Sequence, residues 1–340
     1  MSTLGLGIIG LGVGKGALLL NQKSDSPIKV CAVADKDLAL LKLAHEDHGI
    51  GFVTADYREL LSRSDVDVVG VFTPDHLHGE HAAAALEAGK HVVCTKPMVT
   101  TMTDCERLVH LVDQTGLKFV AAMTWRHLPK IVAARRVFDE GNIGEVTLID
   151  TGYVHDIRKV CEITPWRVTA PQDFLFGGGA HAIDCVRWFA GDIDTVHAFA
   201  LNSGVIPDYP IEDTWILNLK FASGALGRVS VICSAINSPP DAHQRLVIYG
   251  TKGTLTGLDL GMDGVSERET LNAEPAANKE RLIEGHANEL LLYFHKMAHW
   301  IMEDKEPTPS VGDGARVVAV ALAAHESLST GQTVKVRNDF

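Results

Sequence analysis

Residues 6–35 constrain the fold most. Leu6 to Ile9 is a short apolar run, Gly10-Leu11-Gly12-Val13-Gly14-Lys15-Gly16 follows at once, Ala17 to Leu20 opens a helix, and Lys29 to Ala34 is a second apolar run ending at Asp35. Strand, glycine turn, helix, strand is one βαβ unit, the crossover that a parallel pair of strands requires. Such a turn offers backbone N–H groups and the positive end of a helix to a phosphate, and an acid closing the second strand can accept hydrogen bonds from a ribose. Counted from Gly10, the pattern G-x-G-x-x-G puts its third glycine on Lys15, with Gly14 and Gly16 on either side. The run therefore predicts a dinucleotide cradle built from Gly10, Gly12, Val13 and Gly14, with Asp35 at the ribose. A carboxylate there would repel the extra phosphate of NADP, so NAD is the expected cofactor; Lys36 beside it keeps NADP possible.

The same alternation repeats downstream. Val68, Val69, Val71 and Phe72 form a buried strand that ends at Thr73-Pro74, and a helix follows over Glu80 to Ala88 with four consecutive alanines and Gly89 as its C-cap. His91 to Cys94 is the next strand, which leaves Thr95, Lys96 and Pro97 at its carboxyl end. In open α/β sheets that edge binds ligands. The Lys96–Pro97 bond is of the kind that adopts cis most readily. Thr103 to Gln114 and Leu117 to Met123 continue the pattern, so the sequence predicts a doubly wound parallel sheet, a Rossmann domain over residues 1–123.

From residue 124 to 340 the rhythm changes to an α+β domain. Ile131 to Asp139 reads as a helix, and Val146 to Tyr153, Val196 to Leu201, Thr214 to Phe221, Ala225 to Ile232 and Arg245 to Tyr249 read as strands. In Thr214 to Phe221, Trp215, Leu217, Leu219 and Phe221 alternate with polar residues, the mark of a sheet buried on one face. Short links such as Ala222-Ser223-Gly224 imply hairpins and a large, mainly antiparallel sheet, whose other face is free to pack on a second subunit. Residues 259–284 look like a polar loop excursion. Asn288 to Met302 and Asp313 to Ser329 are helices free to pack back on the first domain, and Val334 to Val336 is a closing strand.

Composition removes several classes of function. Lys plus Arg number 31 against 43 Asp plus Glu, a balance of −12, which disfavours nucleic acid and anionic membrane as partners and favours small molecules. No apolar run reaches the ~20 residues of a membrane span, and the amino terminus enters a strand without a basic leader, so a cytoplasmic protein is expected. The 6 cysteines include no C-x-x-C pair, so neither a disulfide framework nor a metal site is indicated.

The remaining chemistry concentrates in Trp166-Arg167 and in Gly177-Gly178-Gly179-Ala180-His181-Ala182-Ile183-Asp184. Three glycines let backbone approach a ligand, while His181 and Asp184, at i and i+3, share one helical face. His181 can exchange a proton near neutral pH, and Asp184 can take a substrate hydroxyl or orient the imidazole. Arg126, Arg158 and Arg167 would together favour an anionic substrate.

Gly10-x-Gly12, Asp35, Thr73-Pro74-x-x-x-His78, Ala88-Gly89-Lys90-His91-Val92, Lys96-Pro97 and Gly-Gly-x-His181-x-x-Asp184 occur in this order along the chain. In this the chain resembles the glucose-fructose oxidoreductase and inositol dehydrogenase family, Gfo/Idh/MocA, over nearly its whole length. The resemblance implies NAD(P)-dependent hydride transfer on a sugar or polyol. Lys96 becomes the lysine that contacts the reacting hydroxyl and nicotinamide, His181 the proton acceptor and Asp184 a sugar-hydroxyl ligand. Thr73, Pro74 and His78 would line the cofactor groove, and Trp166 and Arg167 would approach the nicotinamide end. Two departures stand out: Thr95 precedes the lysine where the family often has glutamate, and Gly177 stands where many dehydrogenases carry aspartate four residues before the histidine.

Whether Lys96 or His181 is the base is open at this stage. So are two other classes, a glycosidase using NAD for transient oxidation and elimination, and a non-catalytic NAD-binding protein. Net hydrolysis of aryl glycosides without NADH accumulation would mark the first, and failure to oxidise any sugar or polyol the second. A homodimer or homotetramer through the second-domain sheet is expected.

Overall fold

A computed structural model describes residues 3–273 and 287–340 of the chain. They fall into two compact units, one of residues 3–124 with 287–315, the other of residues 125–273 with 316–339.

The first unit is built on six strands, β1 (Leu4–Ile9), β2 (Ile28–Ala34), β3 (Phe52–Thr54), β4 (Val68–Val71), β5 (His91–Thr95) and β6 (Phe119–Ala122), in the order β3-β2-β1-β4-β5-β6. All five pairings are parallel. Strands covered on both faces read as unbroken apolar runs. Accordingly Val68, Val69, Val71, Val92, Val93 and Cys94 are wholly buried. The strand order reverses between β1 and β4, so the glycine turn, Thr73 and Lys96 all follow strands at or next to this switch point. Asp37, Asp56 and Thr101 start their helices by accepting a backbone N–H two or three residues on. The first crossover differs from the expected α-helix: Gly14–Gln22 winds as a 3-10 helix, burying Ala17, Leu18 and Leu20. The helix Ala287–Met302 belongs to this unit, where Tyr293, Phe294, Met297 and Ala298 share a core with Leu6, Ile8 and Val33, and Tyr293 donates to the Met123 carbonyl at 2.8 Å.

The second unit carries a nine-stranded sheet. Its strands are β7 (Val146–Val154), β8 (Ile193–Leu201), β9 (Thr214–Phe221), β10 (Leu226–Ile232), β11 (Gln244–Gly250), β12 (Gly253–Thr256), β13 (Asp259–Met262), β14 (Glu269–Thr270) and β15 (Val334–Lys335). They lie in the order β14-β13-β12-β11-β7-β10-β9-β8-β15, and every pairing is antiparallel except β7 with β10. Trp215, Leu217, Leu219 and Phe221 point into the core from β9, while Ile216, Asn218 and Lys220 face outward. The helix Gly179–Ala190 packs on β7 and β10. The segment expected as a polar loop from residue 259 instead supplies β13 and β14 as far as Thr270; Gly257, at φ +61°, makes the turn that lets β13 pair with β12. Short polar strands suit a sheet edge, and for that reason they read as loop. Residues 274–284 of the expected excursion lie outside the described residues.

Candidate functional site

In the first unit, three glycines answer three different physical demands. Gly10 has φ +92°, and a Cβ there would lie 2.7 Å from the backbone of Phe72. A Cβ on Gly14 would lie 2.9 Å from the side chains of Ile8 and Phe72, so this glycine allows the helix to sit against the strand. Gly12 is different, because a Cβ there would meet nothing within 4 Å. Its absence leaves space for something outside the chain, as the middle glycine of a dinucleotide cradle does. Gly14 thus takes the packing role that the pattern had placed at Lys15. Val13, half exposed, lies on the same turn. Asp35 Oδ2 accepts from the Leu11 N–H at 2.5 Å, and Oδ1 accepts from the Asp37 N–H at 2.8 Å. Its carboxylate is thereby held beside the turn, and the residues present fit a bound NAD.

Beyond β4, Thr73 Oγ1 lies 3.0 Å from His81 Nδ1, and Pro74 leads into a short 3-10 turn, Asp75–Leu77. Burial pushes the His81 imidazole below its ordinary range. His78 corrects an expectation. Instead of lining a groove it is wholly buried, with Nδ1 2.6 Å from the Pro97 carbonyl oxygen and Nε2 2.7 Å from that of Thr73. Lys96 follows β5 directly, and the Lys96–Pro97 bond is cis.

In the second unit, His181 lies in the first turn of helix Gly179–Ala190 and is 2% exposed. Its ring stacks on Trp125, with centroids 5.8 Å apart and planes 9° apart, and Trp125 stacks in turn on Tyr153 at 6.2 Å. Gly178 is required by this arrangement, since a Cβ there would fall 2.2 Å from the Tyr153 ring. At Gly177 a Cβ would meet its nearest neighbour at 3.4 Å, so packing alone does not exclude a larger residue there. Burial raises the Tyr153 phenol above its usual range. Trp125 Nε1 is a buried donor without a hydrogen-bond partner among the described residues, an N–H that a bound hydroxyl would satisfy.

Asp184 is also completely buried, and both its oxygens are engaged by one guanidinium: Arg126 Nε donates to Oδ2 at 2.8 Å and Nη2 to Oδ1 at 2.7 Å. The expected sugar ligand is therefore, in this structure, the anchor of a bidentate pair. In the sequence Arg126 stands out only as one of three cations that would favour an anionic substrate. The anionic-substrate cluster dissolves accordingly, because Arg126 is paired with Asp184 and Arg158 with Asp156. Arg167 lies 4.5 Å over the Trp166 ring on the short helix Trp166–Thr169, and donates to Thr164 Oγ1 at 3.0 Å and to Gln172 Oε1. Trp125 and Tyr153 are the residues sequence reasoning missed. Their only signals were Trp125-Arg126 directly after β6 and an aromatic at an inward position of β7. Among the described residues no group of three or more His, Cys, Asp or Glu side chains is arranged to hold a metal.

Residues 4–123 match the oxidoreductase family with an NAD-binding Rossmann fold, and residues 135–336 match that family's C-terminal alpha/beta domain. An inositol 2-dehydrogenase of Saccharopolyspora erythraea is 28% identical over 98% of this chain and 96% of its own. A levoglucosan dehydrogenase of Pseudarthrobacter phenanthrenivorans is 28% identical over 67% of this chain, which is 64% of that protein's length. A solved levoglucosan dehydrogenase in complex with NADH shares the fold, with a TM-score of 0.86 at 24% identity over 99% of this chain and all of that one.

Proposed function

The chain belongs to the Gfo/Idh/MocA oxidoreductase family, with its NAD-binding Rossmann domain, and from that premise we propose that it oxidises a secondary alcohol of a sugar or polyol, or reduces the matching ketone. The observation that carries this is the open position at Gly12 beside a fixed Asp35, in a chain whose β5 is followed directly by Lys96. Support for the substrate class comes from relatives named for inositol and levoglucosan.

Bound NAD supplies the carbon that accepts the hydride. The turn at Gly10, Val13 and Gly14 would shape the cradle, and Asp35 would receive the ribose. His181 takes the hydroxyl proton, with its ring plane held by Trp125. Lys96 places a positive charge against the developing alkoxide, where a preorganised charge acts most strongly. Asp184 serves this chemistry through Arg126, which fixes the helix one turn beyond His181. Thr73 and Pro74 would contact the cofactor, and the resemblance would give Trp166 and Arg167 to its nicotinamide end.

A screen of inositol, levoglucosan and other sugars and polyols, with NAD and NADP in parallel and NADH absorbance as readout, tests the reading. His181→Ala should lower kcat by roughly 10²–10⁴-fold, with loss of one limb of the pH–rate profile. If Lys96→Met and His181→Ala both kept full activity on the substrate found, the assignment would be wrong. The outward face of the second-unit sheet exposes Phe199, Ile216, Leu226 and Tyr249, and Phe199 and Ile216 are register partners. A second copy of the chain is proposed to cover it, and a monomer at micromolar concentration in sedimentation would refute that. No helix among the described residues is long and apolar enough to cross a membrane, and all six cysteines are free thiols, which supports a cytoplasmic location.

A further inference from the structure

Two strand ends of the first unit are joined by a single imidazole. β4 and β5 are parallel neighbours, with Val71 opposite Cys94, and beyond them the chain reaches Thr73 on one side and Lys96–Pro97 on the other. His78 meets both, through Nδ1 to the Pro97 carbonyl at 2.6 Å and Nε2 to the Thr73 carbonyl at 2.7 Å. A carbonyl oxygen only accepts, so the ring nitrogen that carries the N–H is the donor, and the ring lies between the two carbonyls. With 0% exposure, His78 has no view of solvent, and it can reach a ligand only through the two residues it holds. The surroundings restrain the same turn: His81 Nδ1 lies 3.0 Å from Thr73 Oγ1, and Cys94 Sγ donates to the Met98 carbonyl at 3.5 Å.

We propose that His78 is a positioning residue for hydride transfer, which sets the direction in which Lys96 leaves β5 by holding the carbonyl of the next residue against that of Thr73. This rests on the role given to Lys96 above. A misplacement of about 1 Å in a group facing the reacting atoms can cost on the order of 100-fold. Removing the clamp should therefore lower kcat by about 10–100-fold.

The test uses the full chain with NAD and with inositol or levoglucosan, comparing His78→Phe, His78→Gln, Lys96→Met and the double variant His78→Phe/Lys96→Met. His78→Phe should lose about 10–100-fold in kcat, His78→Gln should recover part of it because its amide can donate to one carbonyl, and in the Lys96→Met background the loss should shrink to within about threefold. Nitrogen-15 NMR of the wild-type protein should show a slowly exchanging ring N–H for His78, a readout that needs neither turnover nor a stable variant. A His78 ring N–H in fast exchange with solvent would overturn the clamp. So would an equal loss in both backgrounds, which would mark a general structural role, or an unchanged kcat in His78→Phe while Lys96→Met is inactive. Full activity of Lys96→Met would instead sink the reading of Lys96, leaving the NMR result to decide the clamp.

Discussion

Replacing Arg126 by methionine should strand a carboxylate in the core of the second unit. Asp184 is wholly buried, and its two charge-assisted bonds, at 2.7 and 2.8 Å, both come from Arg126. Breaking a buried pair by removing one partner costs about 3–5 kcal/mol, most of it the uncompensated charge rather than the lost attraction. For a unit of this size that corresponds to a fall of roughly 6–20 °C in midpoint. The same logic predicts that Arg126→Met/Asp184→Leu regains most of the loss, since an apolar pair of similar volume removes the desolvation penalty. Urea unfolding followed by tryptophan fluorescence suits the experiment, because Trp125, Trp166, Trp188 and Trp215 lie in the second unit and only Trp300 in the first. If Arg126→Met stayed within about 1 kcal/mol of wild type, or the double variant were no better than the single, the buried-pair account would fail. Activity then separates two roles for Asp184. Loss confined to kcat in a folded double variant marks positioning of His181, whereas a raised substrate KM marks a direct hydroxyl contact.

Other expectations follow from the same geometry. Gly12→Val should leave stability nearly unchanged, because its Cβ meets nothing within 4 Å, yet abolish NAD binding in a fluorescence titration; Gly14→Val, with 2.9 Å contacts, should instead cost about 1–3 kcal/mol of stability. Asp35→Ala should narrow the preference for NAD over NADP by about tenfold, a change of ~1.4 kcal/mol, in parallel kinetics with the two cofactors. His81, His91 and His295 are all held below the ordinary histidine range, chiefly by burial. The unfolded chain therefore takes up their protons first, so stability is complete above about pH 6.5 and falls as the pH drops below it, by at most ~1.4 kcal/mol per pH unit for each, and less for the half-exposed pair. Denaturation midpoints that rise on acidification from pH 7 to 5 would contradict this.

The first unit was legible because its constraints are local. Gly10, Gly12 and Asp35 sit within one βαβ unit, and a parallel sheet buried on both faces writes itself as runs such as Val68 to Phe72 and His91 to Cys94. Lys96 could be singled out for the same reason, since the carboxyl end of a strand is visible without its neighbours. The second unit was legible in its alternating strands, notably Thr214 to Phe221. It was illegible where pairing partners are distant: β13 and β14 are too short and polar to announce themselves, and β7 joins β10 in parallel across some seventy residues of chain.

The site residues show the same division more sharply. His181 and Asp184 stood out from their spacing, which correctly placed them in one helix, but spacing carries no information about what each side chain meets. A carboxylate three residues from a histidine reads equally as its partner, as a substrate ligand or as a structural anchor. Arg126, fifty-eight residues away, takes both oxygens, a contact that the spacing does not announce. His78 carries the same lesson in reverse: a histidine beside a nucleotide-binding strand reads as a ligand contact, yet both its nitrogens are spent on backbone carbonyls. In each case the residue nearest the expected chemistry meets a neighbour, Asp184 the Arg126 guanidinium and His78 the Pro97 carbonyl. Variants at these two positions should therefore differ from variants at Lys96 and His181 in a specific way. A positioning residue is partly rescued by a substitution that restores the hydrogen bond, whereas loss of the charge proposed for Lys96 or of the base proposed for His181 is not.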